Sequence, residues 1–148
     1  DKRQFNFFGA CWFLFSFKYL SESGADSLTF FELSGENGWF KIREESMDKS
    51  PIYAFREEFK YYTHLIPSQS SQPLFVDAVC LKSEDKSALL LVNWTKRKQA
   101  VSLPLGFQPM RFFQKWENSE LVGENLESNG HEFYNLMPES LTWLEKRG

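Results

Sequence analysis

A carboxylate that closes a strongly apolar run is the first group in this sequence with chemical promise. Glu32 follows Leu28-Thr29-Phe30-Phe31, so its carboxyl would stand at the rim of an apolar wall. Loss of water there raises a carboxylic acid's pKa toward the range useful for proton transfer. Trp39 and Phe40 come shortly afterwards. An exposed indole can stack on the face of a sugar ring, although a loop aromatic more often plugs a domain edge. Glu32 and Trp39 are therefore the candidate substrate-contacting residues, while Glu36 and Asn37, in a Glu-Asn-Gly run, read as turn chemistry. Cleaving a glycosidic bond normally takes two carboxyls about 5 to 10 Å apart, so Glu32 alone does not make an active site, and the catalytic residues are unassigned.

The other reactive side chains have plainer readings. His64 lies near the end of an amphipathic segment and reads as a solvated or helix-terminal histidine; His131 follows Asn129-Gly130 and reads as a hairpin residue. No GxSxG elbow is present, so a serine triad finds no support. Gly35-Glu36-Asn37-Gly38 lacks the spacing and following helix of a phosphate loop. Cys11 and Cys80 each sit in an apolar run and read as buried thiols; with no CxxC or Cys/His spacing, neither a metal nor a cofactor is expected. Asn93-Trp94-Thr95 is a glycosylation sequon, relevant only to a secreted chain, and Lys96-Arg97-Lys98 reads as a solvated turn. Arg111, Phe113 and Lys115 with Trp116 would share a strand face, which suits either carbohydrate binding or ordinary cross-strand pairing.

The elements that must position these residues follow from periodicity. Phe5, Phe8, Trp12, Phe15 and Tyr19 recur at helical spacing, and the remaining positions of residues 4–22 are also largely apolar. A helix apolar nearly all round is expected to be covered on both sides, with Gly24 just past its end as a C-cap. Ala25–Phe31 reads as a buried strand and 32–50 as a loop. Ser50-Pro51 marks a second helix start, amphipathic through Ile52, Phe55, Phe59, Tyr62 and Ile66. Pro67–Pro73 has linker composition. Beyond it, about six short strands separated by turn signals suggest an antiparallel sandwich, with 117–130 as an acidic protruding loop.

Composition bounds the function. The 148 residues carry a net charge of −3, from 17 Lys plus Arg against 20 Asp plus Glu, which excludes the basic footprint of a nucleic-acid partner. The longest apolar stretch, Phe7–Phe17, is about half the ~20 residues a membrane span needs, so no membrane partner is expected. Nearly half of the aromatic residues fall in residues 1–40. One strand between two helices leaves ladder groups unpaired on both edges, and the chain starts at Asp1 rather than Met. Residues 1–66 therefore read as cut from a larger α/β domain.

An ordered set of residues also resembles a known family. Gly9, Trp12, Ser16, Lys18-Tyr19-Leu20, Gly24-Ala25, Ser27, Thr29 and Glu32, then Ser50-Pro51-Ile52-Tyr53, then Leu89–Thr95, resemble the last part of a glycoside-hydrolase-like (β/α)8 barrel protein, the nearest likeness being the D-apionate lactonase family. Six residues, Leu33 to Gly38, separate Glu32 from Trp39 where the likeness has Trp soon after Glu. The resemblance implies a mixed α+β fold. Residues 1–66 would be the final helix–strand–helix of the barrel, 67–73 a linker and 74–148 an antiparallel β-sandwich. It places Glu32 at the C-terminal end of a barrel strand, where such active sites lie, and the remaining carboxyls on strands outside this sequence.

The expected function is thus that of a C-terminal fragment of a carbohydrate-active hydrolase, a glycoside hydrolase or sugar lactonase, inactive in isolation. The expected partners are a carbohydrate or sugar-acid lactone and the missing barrel portion of the same protein, with self-association left open. Localisation is undetermined, the cytoplasm being favoured slightly over secretion. The alternative is a non-catalytic β-sandwich module that binds glycan or protein.

Overall fold

The computed structural model describes residues 6–30, 32–35, 38–43, 46–104, 106–117, 120–125 and 133–147. They form two compact units, residues 1–61 with 115–122, and residues 62–114 with 123–148.

The first unit begins with helix α1, Phe7–Glu22. Asn6 is its extended N-cap, its side-chain oxygen accepting from the Gly9 N–H at 2.9 Å. The helix closes as expected at Gly24, whose φ of +86° is open to glycine at little cost. Ala10, Cys11, Leu14, Phe15 and Lys18 form its buried face. The expectation of cover on both sides is not met: Phe8, Trp12 and Tyr19 stand about half exposed, at 52%, 55% and 49%. Phe15, which shares their helical spacing, is 5% exposed, so these three do not form one continuous open face.

The strand expected at Ala25–Phe31 is not formed over residues 25–30, which are irregular; Phe31 lies outside the described residues. Phe30 instead sets its ring edge-on to Phe13, centroids 4.9 Å apart. The stretch expected as a loop holds three short strands: β1 (Glu32–Ser34), β2 (Gly38–Arg43) and β3 (Ser46–Lys49), in that order in one sheet. β1 runs parallel to β2, with Glu32 opposite Gly38, and β2 antiparallel to β3. A Cβ at Gly38 would lie 2.7 Å from the Ser34 backbone, so this close passage requires glycine. Helix α2, Pro51–Phe59, starts where the sequence marks it: the Ser50 hydroxyl accepts from the Tyr53 N–H at 3.3 Å, and Pro51 opens the first turn. It ends at Phe59 rather than running to Ile66, because residues 64–66 join a sheet. Ile52 and Phe55 are buried, and Phe7 meets Phe55 edge-on at 6.4 Å.

The second unit is built on residues 64–66, 76–82, 86–93, 108–114, 123–125 and 140–147 of a sheet ordered β4-β5-β6-β11-β8-β9, residues 115–122 counting with the first unit. Its strands are β4 (His64–Ile66), β5 (Val76–Lys82), β6 (Lys86–Asn93), β8 (Gln108–Glu117), β9 (Glu120–Asn125) and β11 (Ser140–Arg147). β4 through β6, β11 and β8 pair antiparallel. β9 falls in the segment expected as a protruding loop. Turn residues 83–85 and 94–98 follow β5 and β6 near the expected places. Two further strands, β7 (Gln99–Ser102) and β10 (Phe133–Leu136), pair with each other in a separate antiparallel sheet.

Side-chain alternation puts Val76, Ala78, Leu89, Leu91 and Leu144 on one face of the large sheet. They form a buried cluster with Leu136 of β10, against which Val101, Leu103, Phe107 and Tyr134 pack. This is sheet-on-sheet packing within the unit. The opposite face, with Val79, Leu90, Val92, Phe113, Leu141 and Trp143, is as deeply buried. Burial on both faces explains why β6 reads as an unbroken apolar run instead of alternating.

Both thiols are free. Burial pushes the Cys11 thiol far above its ordinary range and raises that of half-buried Cys80. A raised pKa leaves less thiolate at a given pH. At pH 8, iodoacetamide is expected to label Cys80 slowly and Cys11 only after unfolding. Equal, fast labelling of both in the native chain would contradict this burial.

Candidate functional site

The structure brings the two sequence-predicted contact residues to neighbouring strands. Glu32 opens β1 and lies opposite Gly38, the residue before Trp39 on β2. Trp39 is half-buried, its indole edge-on to Phe13 of α1 with centroids 6.0 Å apart, and its carbonyl accepts from the Ser50 N–H at 2.8 Å. Part of its surface is therefore engaged in packing. Phe40 packs edge-on against Tyr53 at 6.1 Å. Glu36 and Asn37 lie outside the described residues, as does His131.

The strand face expected around Arg111 is largely covered. The Arg111 guanidinium stands 5.3 Å from the ring centroids of both Phe113 and Trp143, and both rings are buried. A stacked cation shields apolar surface from water, so these rings act as core and not as an open sugar platform. Nearby, the Tyr62 hydroxyl donates to Glu145 at 3.1 Å, and Lys86 approaches the same carboxylate at 3.4 Å. His64 is exposed, with Nδ1 2.9 Å from the Thr63 hydroxyl. Among the described residues no group of three His, Cys, Asp or Glu could hold a metal ion, and no helix is long and apolar enough to cross a membrane.

The sequon is a structural hub. Asn93 is almost wholly buried. Its amide nitrogen donates to the Arg97 and Met137 carbonyls at 2.8 and 2.9 Å, with that of Leu136 at 3.5 Å. Its oxygen accepts from the Thr95 N–H at 2.9 Å, with the Thr95 hydroxyl at 2.8 Å. A nitrogen with both hydrogens engaged and no access to solvent is closed to glycan attachment in the folded chain.

The second unit also carries an open groove of about 720 Å³, within the size range of small-ligand pockets, roughly 300 to 1,000 Å³. One wall is residues 66–72, the floor comes from β5 and β6, and the other wall is β7 with Phe107. The Ser68 hydroxyl fixes the first wall by donating to the Ala78 carbonyl at 2.9 Å. Sequence reading missed this groove, and the alternation of Val76, Ala78 and Cys80 was its only trace.

With the geometry in view, the fold has a class: it is similar to parts of glycoside hydrolases. BuGH86 in complex with neoagarooctaose superimposes over 89% of the chain with a TM-score of 0.58 at 8% identity. An α-L-arabinofuranosidase from Thermotoga maritima in complex with arabinose matches over 79%, TM-score 0.51, at 16% identity. A family 86 β-porphyranase from the human gut bacterium Bacteroides plebeius matches over 74%, TM-score 0.50, at 16% identity. The chain covers only 25%, 33% and 22% of these three proteins. At such identities the likeness concerns fold, and it does not single out the D-apionate lactonase family. No protein-family profile matches the sequence, and no curated protein matches it.

Proposed function

We propose that this chain is the C-terminal portion of a carbohydrate-active hydrolase of the glycoside hydrolase or sugar lactonase type. In this reading residues 1–66 are the last helix–strand–helix of a (β/α)8 barrel, with residues 25–31 in the place of its strand, and residues 74–148 are the sandwich that stabilises it. D-apionate lactonase is the finer form of the same proposal. The observation that carries it is the fold similarity over 89% of this chain but only a quarter of the compared hydrolase.

Glu32 and Trp39 would then contact a carbohydrate or sugar lactone, with the catalytic carboxyls on the missing part. In the longer polypeptide, Glu32→Gln is expected to lower kcat/KM about ten- to a hundredfold, the effect of losing one hydrogen bond to a charged group. Full activity in the Gln variant removes Glu32 from the site. Tight oligosaccharide binding by the 148 residues, with no hydrolysis by any longer form, would favour a non-catalytic binding module instead.

A further inference from the structure

The two-stranded sheet of the second unit ends on an open backbone edge. β7 pairs with β10 through Gln99–Leu136 to Ser102–Phe133, and among the described residues no strand lies on its other side. Alternate residues of an edge strand turn their N–H and C=O groups outward, here along roughly 13 Å. This edge does not simply border solvent. All four residues, Gln99 to Ser102, line the groove, and residues 66–72 form the wall across from them.

The floor between these walls has the character of an interior. Val76, Ala78, Leu89 and Leu91 belong to the buried cluster of the unit, and Cys80 and Val101 pack against it. Among the described residues no charged side chain lines the groove. An apolar floor continuous with a core, flanked by an unpaired strand edge and free of charge, matches a β-strand adding to a sheet. Its continuity with the core resembles a permanent interface, a domain core cut in half, more than a transient binding surface. The hydrolases compared above are at least three times as long as the part this chain covers, and on the proposed reading the rest of one polypeptide would supply such a partner.

We propose that an uncharged β-strand, supplied by the same polypeptide outside these 148 residues, fills this groove. It pairs with the open edge of β7 and sets alternate apolar side chains on the β5–β6 floor. The inference rests on the reading that the chain is part of a longer carbohydrate-active protein.

Hydrogen exchange with mass spectrometry, comparing the 148-residue chain with the full polypeptide, tests it. Peptides covering 99–102 are expected to exchange at least tenfold more slowly in the full polypeptide, and Cys80 to change from slow labelling by iodoacetamide to labelling only on unfolding. Unchanged exchange and labelling overturn the proposal. So does protection of 99–102 in the short chain by neutral oligosaccharides, which would make the groove a sugar site. Hydrolysis measured on the same full polypeptide separates the two ideas. Activity with an unprotected β7 rejects the strand and keeps the hydrolase, whereas protection without activity does the reverse.

Discussion

Asn93→Asp is expected to destabilise the chain by about 3 to 5 kcal/mol and to lower Tm by about 10 °C. The substitution barely changes shape, so packing is not what it tests. The Nδ2 of Asn93 faces the carbonyls of Arg97 and Met137, with Leu136 close by. A carboxylate oxygen there points negative charge at three carbonyl oxygens, and the two donated bonds are lost. The site is almost wholly buried, so water cannot repair the mismatch. Asn93→Ala removes the bonds without adding charge and is expected to cost less, about 2 to 3 kcal/mol. Thermal denaturation of both variants checks the order. If Asp cost no more than Ala, the hub role of Asn93 would be wrong.

Leu90→Ala and Leu91→Ala are each expected to cost about 2 to 5 kcal/mol, the range for cavities left by buried leucines. The two neighbours point to opposite faces of β6, at 0% and 7% exposure. In a sheet with one solvated face, only one of the pair would matter. Urea denaturation of both variants should show two large losses of comparable size. A loss under about 1 kcal/mol at either position would mean that its face is not packed.

What could be read from the sequence was mostly what is decided locally. Ser50-Pro51 was legible because a cap and a fixed φ act within one turn, and Gly24 because its positive φ disfavours other residues. The β6 run was legible because a doubly buried strand is apolar almost without interruption. The strand expected at 25–31 is not formed over residues 25–30 for the converse reason. Leu28-Thr29-Phe30 has β propensity, but a strand exists only where a neighbouring edge accepts its ladder, and there Phe30 packs on Phe13 instead. Residues 64–66 left the helical pattern of α2 because β5 offered such an edge, from His64–Lys82 to Ile66–Cys80.

The candidate site divides along the same line. Glu32 and Trp39 could be named from residue type, and their strands are adjacent, yet nothing in the spacing foretold the Phe13 contact of Trp39. The groove was invisible because its walls, residues 66–72 and β7, are far apart in sequence. Asn93-Trp94-Thr95 was legible as a motif but not as a role: the carbonyls it binds come from Arg97 close by and from Leu136 and Met137 some forty residues on.

The most direct test of the central reading is a hydrolysis assay on the full polypeptide and on the 148-residue chain, with a panel of oligosaccharides and sugar lactones. Turnover of at least one substrate by the full polypeptide, and none by the short chain, is the expected result. No turnover by the full polypeptide on any member of the panel, or equal turnover by the short chain alone, would contradict it.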